Sequence, residues 1–205
     1  MKSFLIRPAL ALALAAGLAG CGGSDKAEFT VGGTIYTLAY PGLQLSTNGT
    51  TIDVAPPAKA GDPVKFAFPN KLEYGDEYNV QIVKQPAHQR CDLASSYPTN
   101  ADTAGRLALI DVQYSCVINT FTIGGTISGL TVAGLVLTNG STGGTVTPAK
   151  DATSYVFSLP VAYNQTYGVT VLTQPAGLTC SVANPTNTMG DANVTNINVS
   201  CVPNR

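Results

Sequence analysis

Apolar and polar side chains alternate along Ile110-Asp111-Val112-Gln113-Tyr114-Ser115-Cys116, and again along Ile197-Asn198-Val199-Ser200-Cys201. A period of two sends one set of side chains inward and the other into solvent, so each run predicts a half-buried β-strand with its cysteine on the inward face. Short runs of strand character recur through the second half of the chain, over 121–130, 135–138, 145–147, 155–159, 167–172, 179–182 and 194–202. Turn signals separate them. Asn139-Gly140 and Gly143-Gly144 supply residues that tolerate positive φ, as Asn48-Gly49 does in the first half. After the first 20 residues no stretch carries the helical period.

The pattern occurs twice. Phe29-Thr30-Val31-Gly32-Gly33-Thr34-Ile35 returns as Phe121-Thr122-Ile123-Gly124-Gly125-Thr126-Ile127. Further along, Tyr74 matches Tyr163, Tyr78 matches Tyr167, Val80 matches Val169, Ile82 matches Val171, and Gln85-Pro86 matches Gln174-Pro175. A cysteine follows each of those prolines (Cys91, Cys180), and a second one ends each alternating run (Cys116, Cys201). A repeat of this length implies two copies of one folding unit, 29–120 and 121–205. Seven strands in about 85 residues is the size of one sandwich. The paired glycines lie at a strand start in both copies, which reads as a bulge or a close backbone approach.

The stretch from Leu72 to Ile82 resembles the turn into a late strand of immunoglobulin-like and fibronectin-type sandwiches, where a corner tyrosine bonds back to the upstream backbone; the resemblance makes Tyr78 and Tyr167 the corner candidates. The Gly-Gly-Thr opening is similar to prealbumin-like repeats of bacterial surface proteins. With Val171-Leu172-Thr173-Gln174-Pro175 and its late cysteine, the second copy is similar to repeat modules of uncharacterised bacterial lipoproteins. The fold this implies is all-β: two tandem Ig-like antiparallel β-sandwich modules of about seven strands each. A shared sandwich transfers no activity.

Lys2 and Arg7 precede an apolar run from Pro8 to Ala16, and Leu18-Ala19-Gly20-Cys21 closes it in the order of an export signal. The run is about half of the roughly 20 residues that a membrane-spanning helix needs. Leu18-Ala19-Gly20-Cys21 resembles the lipobox of bacterial lipoproteins. That resemblance implies a signal peptide over 1–20, acyl chains such as palmitate on Cys21, the lipid bilayer as a partner, and a cell-envelope location. Gly22 after the cysteine further implies the outer membrane of a Gram-negative bacterium. Cys21 is also the odd cysteine of five. Residues 21–28 form a polar tether spanning roughly 15 Å as a coil.

An exported chain meets an oxidising compartment, and the cysteines fall at equivalent places, so the expected bridges are Cys91–Cys116 and Cys180–Cys201. A zinc site is not expected, since the chain has one histidine and no Cys-x-x-Cys. Far-spaced cysteines, the second of each pair facing inward, do not suit redox catalysis.

Removing Lys2 and Arg7 with the leader leaves nine basic against twelve acidic residues, and none of the lysines and arginines forms a run, so nucleic acid is not an expected partner. From Thr120 onward only Lys150, Asp151, Asp191 and Arg205 are charged. His88 aligns with Gly177; as a ligand or base it would draw on Arg90 and Asp92. Asp76 and Glu77 are the paired carboxylates, in an expected surface turn. Neither a nucleophile elbow, a calcium loop nor a phosphate loop occurs. The expectation is a non-enzymatic protein without cofactor or metal, acting as a spacer or interaction module toward another envelope protein. The alternative is a carbohydrate-binding or adhesin-type protein, with Tyr36, Tyr40 and Tyr97 as stacking candidates on a glycan. Only Val117 to Thr120 would connect the copies, which predicts a semi-rigid pair.

Overall fold

A computed structural model describes residues 27–96, 99–107 and 109–205; Cys21, its leader and most of the tether, together with Tyr97, lie outside the described residues. The first half carries β1 (Glu28–Tyr36), β2 (Leu43–Thr47), β3 (Thr50–Val54), β4 (Val64–Glu73), β5 (Glu77–Asn79), β6 (Gln81–Lys84), β7 (Gln89–Leu93), β8 (Ala101–Thr103) and β9 (Ile110–Ile118). The second carries β10 (Thr120–Phe121), β11 (Gly124–Ser128), β12 (Val136–Asn139), β13 (Thr145–Val146), β14 (Ser154–Val156), β15 (Val161–Ala162), β16 (Thr166–Thr173), β17 (Leu178–Val182), β18 (Thr186–Thr188) and β19 (Val199–Pro203).

The protein is all-β, and its two halves have the same plan. One layer is ordered β4-β1-β9-β7 in the first half and β14-β11-β19-β17 in the second; the facing layers are β3-β2-β6 and β13-β12-β16-β18. Two pairs depart from the antiparallel expectation: β1 runs parallel to β9, and β11 parallel to β19. The reason is topological, since the strand bearing the Gly-Gly-Thr opening and the last strand of each half lie side by side in one sheet. Apolar side chains between the layers form two clusters, one spanning Val31 to Cys116 and the other Ile123 to Cys201. The short β15 and β18 have no counterpart among the expected strands. They are two and three residues long and carry too little alternation to register.

The glycines of the repeated opening sit where a neighbouring strand comes too close for a side chain. A Cβ on Gly32 would lie 2.7 Å from the Phe66 carbonyl oxygen, and one on Gly33 would overlap the Val112 carbonyl oxygen and the Phe66 ring. Gly124 and Gly125 face the Tyr155 and Ile197 carbonyls in the same way. The register of β1 on β4 also shifts between Thr30 and Gly32, so the first copy has both the bulge and the close approach.

Cys91 is bonded to Cys116 and Cys180 to Cys201, each pair directly opposed across neighbouring antiparallel strands. The Gln-Pro pairs brace these strands. The Gln85 amide accepts from Cys91 N at 2.8 Å and donates to Cys91 O at 3.0 Å; Gln174 does the same for Cys180 at 2.7 and 3.0 Å.

Tyr78 and Tyr167 are core residues at 3% and 5% exposure. Two other buried tyrosines donate their hydroxyls to backbone: Tyr114 to the Val80 carbonyl at 2.6 Å, and Tyr155 to the Ile197 carbonyl at 2.7 Å. Burial pushes both phenols up to about 12. Between about pH 10, where an unfolded tyrosine ionises, and pH 12, the folded chain holds these protons and the unfolded chain does not, so stability falls as pH rises. Below that window the contribution is complete. The expected loss is on the order of 2 kcal/mol per ring across the window. Denaturant titrations at stepped pH check it, and Tyr114→Phe or Tyr155→Phe should flatten the profile.

Candidate functional site

The structure gathers the chain's one histidine and two tyrosines at the point where the halves meet. His88 lies in the turn before β7 at φ 57°, and its counterpart Gly177 at φ 72°. Left-handed backbone favours glycine, so a histidine here accepts a conformational cost that the second copy avoids. The position turns the imidazole onto the second half. It stacks on Tyr163, with ring centroids 3.7 Å apart and planes within 3°. Tyr40 meets both rings edge-on, at 5.1 Å from His88 and 5.6 Å from Tyr163. Nδ1 of His88 lies 2.8 Å from Oδ1 of Asp191, so a ring protonated at Nδ1 donates to that carboxylate.

Surrounding groups hold the rings in place. Gln89, 3% exposed, accepts through Oε1 from Ala39 N at 2.7 Å and Tyr40 N at 3.0 Å and donates through Nε2 to the Thr37 carbonyl at 2.9 Å, which fixes the loop bearing Tyr40. Thr37 Oγ1 in turn donates to the Cys116 carbonyl. The connecting residue Asn119 is gripped from both sides: its N–H donates to the His88 carbonyl and its carbonyl accepts from Tyr163 N, both at 2.9 Å. Directly after it, β10 pairs with β15, matching Thr120 to Ala162 and Phe121 to Val161. The connection is therefore part of the hydrogen-bonded structure on either side.

This arrangement packs the two halves against each other, and we refer to it as the joint. His88 does not draw on Arg90 and Asp92, which form their own exposed pair at 3.0 Å on β7; the hydrogen bond and charge of Asp92 raise the guanidinium pKa further above its ordinary value. Tyr40, expected as an exposed sugar-stacking ring, is half-buried because its edge packs on His88 and Tyr163. Tyr36 stays partly exposed at 38%. Asp76 follows an exposed turn and accepts through Oδ2 from Glu73 N at 2.8 Å, whereas Glu77, expected in the turn, is the exposed first residue of β5. Among the described residues no three His, Cys, Asp or Glu side chains are placed to hold a metal ion.

The sequence carries a faint signal of the joint. Two matched copies differ at a turn position where one keeps glycine and the other places an aromatic base, and Asp191 is among the few charges of the second half. Neither points to the other without the fold.

His88→Gly tests the joint cleanly, since glycine suits this backbone and the second copy already uses it. Loss of the stack and its carboxylate contact should remove about 1 kcal/mol or more of inter-half contact while both cores stay folded. The expected result by 15N relaxation is one rotational correlation time for the natural chain and two for the variant.

No protein-family profile matches the chain, and no curated protein matches it. Among solved structures it is similar to the shaft pilin SpaA from Lactobacillus rhamnosus GG, with a TM-score of 0.30 at 11% identity over 87% of this chain and 99% of that one. A single mutant and a double mutant of the same pilin give 0.30 at 11% and 10% identity over the same shares. At that score the likeness fixes neither topology nor role.

Proposed function

We propose that this chain is a non-enzymatic lipoprotein of the cell envelope, in which two disulfide-closed sandwich modules, 29–120 and 121–205, form a stiff spacer or interaction element held to a bilayer through Cys21. The joint of His88, Tyr163, Tyr40 and Asp191 carries this reading. A chain that places its only histidine at an unfavourable backbone angle, stacked on the neighbouring module, uses that side chain to fix orientation. The leader and the Leu18-Ala19-Gly20-Cys21 sequence support the anchor. Acyl chains contribute roughly 0.8 kcal/mol per buried methylene, so two or three of them hold a protein to a membrane essentially permanently. The outer membrane of a Gram-negative bacterium is the proposed site.

A second reading has a specific observation behind it. Asn184, Asn187, Asn193 and Asn196 with Thr186 and Thr188 line an open groove of about 620 Å³ beside Asp191. Amides and hydroxyls with little net charge are the chemistry that meets sugar hydroxyls, so this groove is where a glycan-binding role would reside. Metabolic labelling with a palmitate analogue tests the anchor: label retained by the natural chain and lost in Cys21→Ala is the expected result. Glycan-array binding by the intact protein, lost in Asn187→Ala, would replace the spacer reading with the second.

A further inference from the structure

The duplication allows the two modules to be compared end for end. In the second module, the end that receives the incoming chain is covered: Thr120 pairs with Ala162, and the next residue, Tyr163, lies under His88. The first module has the same end. Glu28 pairs with Glu73, and the next residue is Tyr74. The supporting loops agree as well. Gly75 N donates to the Ala104 carbonyl at 3.0 Å and Ala104 N to the Asp76 carbonyl at 2.7 Å, as Asn164 N donates to Met189 O and Met189 N to Gln165 O, both at 2.9 Å. Among the described residues, none stacks on Tyr74 as His88 stacks on Tyr163, and Tyr74 is 75% exposed.

Exposed apolar side chains gather at this end. A Cβ on Gly105 would strike the Tyr74 ring and lie 3.3 Å from Phe29 Cζ, so the two rings lie together over that glycine. Leu107, two residues after Gly105, and Leu109, just before β9, are 41% and 73% exposed. Two ion pairs lie at this end, Lys71 with Glu28 at 2.7 Å and Arg106 with Asp102 at 3.0 Å, and the Asp76 carboxylate accepts from Glu73 N. It is also the end that the sequence joins to Cys21, through a tether that spans roughly 15 Å as a coil.

We propose that the base of the first module, formed by Phe29, Tyr74, Leu107 and Leu109, rests in the interfacial layer of the bilayer that holds the acyl chains of Cys21. This rests on the lipoprotein reading above. Tyrosine with its apolar ring and polar tip is suited to the headgroup level, and neighbouring leucines reach the acyl boundary. Acidic side chains outnumber basic ones at this end, Glu28, Glu73, Asp76, Glu77 and Asp102 against Lys71 and Arg106, so the patch suits zwitterionic and not anionic lipid. A second copy is the weaker occupant, because the far end of the second module presents Gly177 where His88 stands and has no ring to stack on Tyr74. Seating the base while the joint holds the second module would stand the rod away from the membrane at a defined angle.

The test is tyrosine nitration of the acylated protein in phosphatidylcholine vesicles, read peptide by peptide and compared with the same polypeptide made without leader or acyl chains, free in solution. Tyr36, at the other end of β1, is the internal reference. The expected result is a fall of roughly fivefold or more in the ratio of Tyr74 to Tyr36 reaction on the vesicles. Leu109→Asp should return the ratio toward its solution value with both disulfides intact. An unchanged ratio in a chain whose N-terminal peptide carries the acyl mass overturns the seating and leaves the anchor standing. An N-terminal peptide without acyl mass overturns the anchor, and the seating with it. Equal protection in solution, accompanied by a dimer mass, assigns the patch to a second copy and overturns the lipid assignment.

Discussion

Gly125→Ala is expected to unfold the second module and leave the first folded. The added methyl group would occupy the space of the Ile197 backbone carbonyl, with the Ile197 carbonyl carbon behind it. A flexible side chain could swing away from such a clash. Backbone between two strands cannot, because β11 is held by β14 on one side and by β19 on the other. Relief requires parting the sheet at its centre, and steric overlap of this kind lies in the exceptional class of more than about 4 kcal/mol. Gly33→Ala should do the same to the first module, where the Val112 carbonyl and the Phe66 ring take the place of Ile197. Gly190→Ala is the control, since nothing lies within 4 Å of its Cβ position. Hydrogen exchange resolved by module checks all three: the substituted module should lose protection, the other should keep it, and the control should match the natural chain.

The second large effect belongs to the disulfides. Cysteine pairs 25 and 21 residues apart close loops whose loss of entropy in the unfolded chain stabilises each module by about 3 kcal/mol on the loop-closure estimate. That is a large fraction of a small domain's stability of about 5–15 kcal/mol. The double variant Cys180→Ala/Cys201→Ala should therefore lower the denaturant midpoint of the second module alone, and Cys91→Ala/Cys116→Ala that of the first alone. All four cysteines are buried, at 6% exposure or less, so a thiol reductant should open them at the rate of module unfolding. Reduction of the folded chain at the rate of an exposed disulfide would contradict that burial.

The parts of this structure legible from sequence are those that local chemistry dictates. Alternation along 110–116 and 197–201 marks the two last strands, because inward and outward faces impose a period of two. The repeated Gly-Gly-Thr marks the close approach at the sheet centre, because only glycine fits beneath a neighbouring carbonyl. The parallel pairing of the Gly-Gly-Thr strand with the last strand of each half is less legible, since neither strand's own pattern names its neighbour. The joint is the least legible. Tyr163 reads as one more tyrosine matched to Tyr74, and His88 as a lone histidine beside Arg90 and Asp92. Their stacking depends on the turn at φ 57°, on Gln89 fixing the loop of Tyr40, and on Asn119 bonded to both sides. Those conditions are separated by up to about half the chain, and no local period encodes them.

The proposed spacer requires that the two halves, in contact through His88 and Tyr163, orient as one body in solution. Residual dipolar couplings of the natural chain in a weakly aligning medium read this directly, module by module. A single alignment tensor fitting both 29–120 and 121–205, with the orientation set by the stacked rings, is the predicted result. Two tensors of different magnitude or direction would mean that the modules move independently and would contradict a stiff joint.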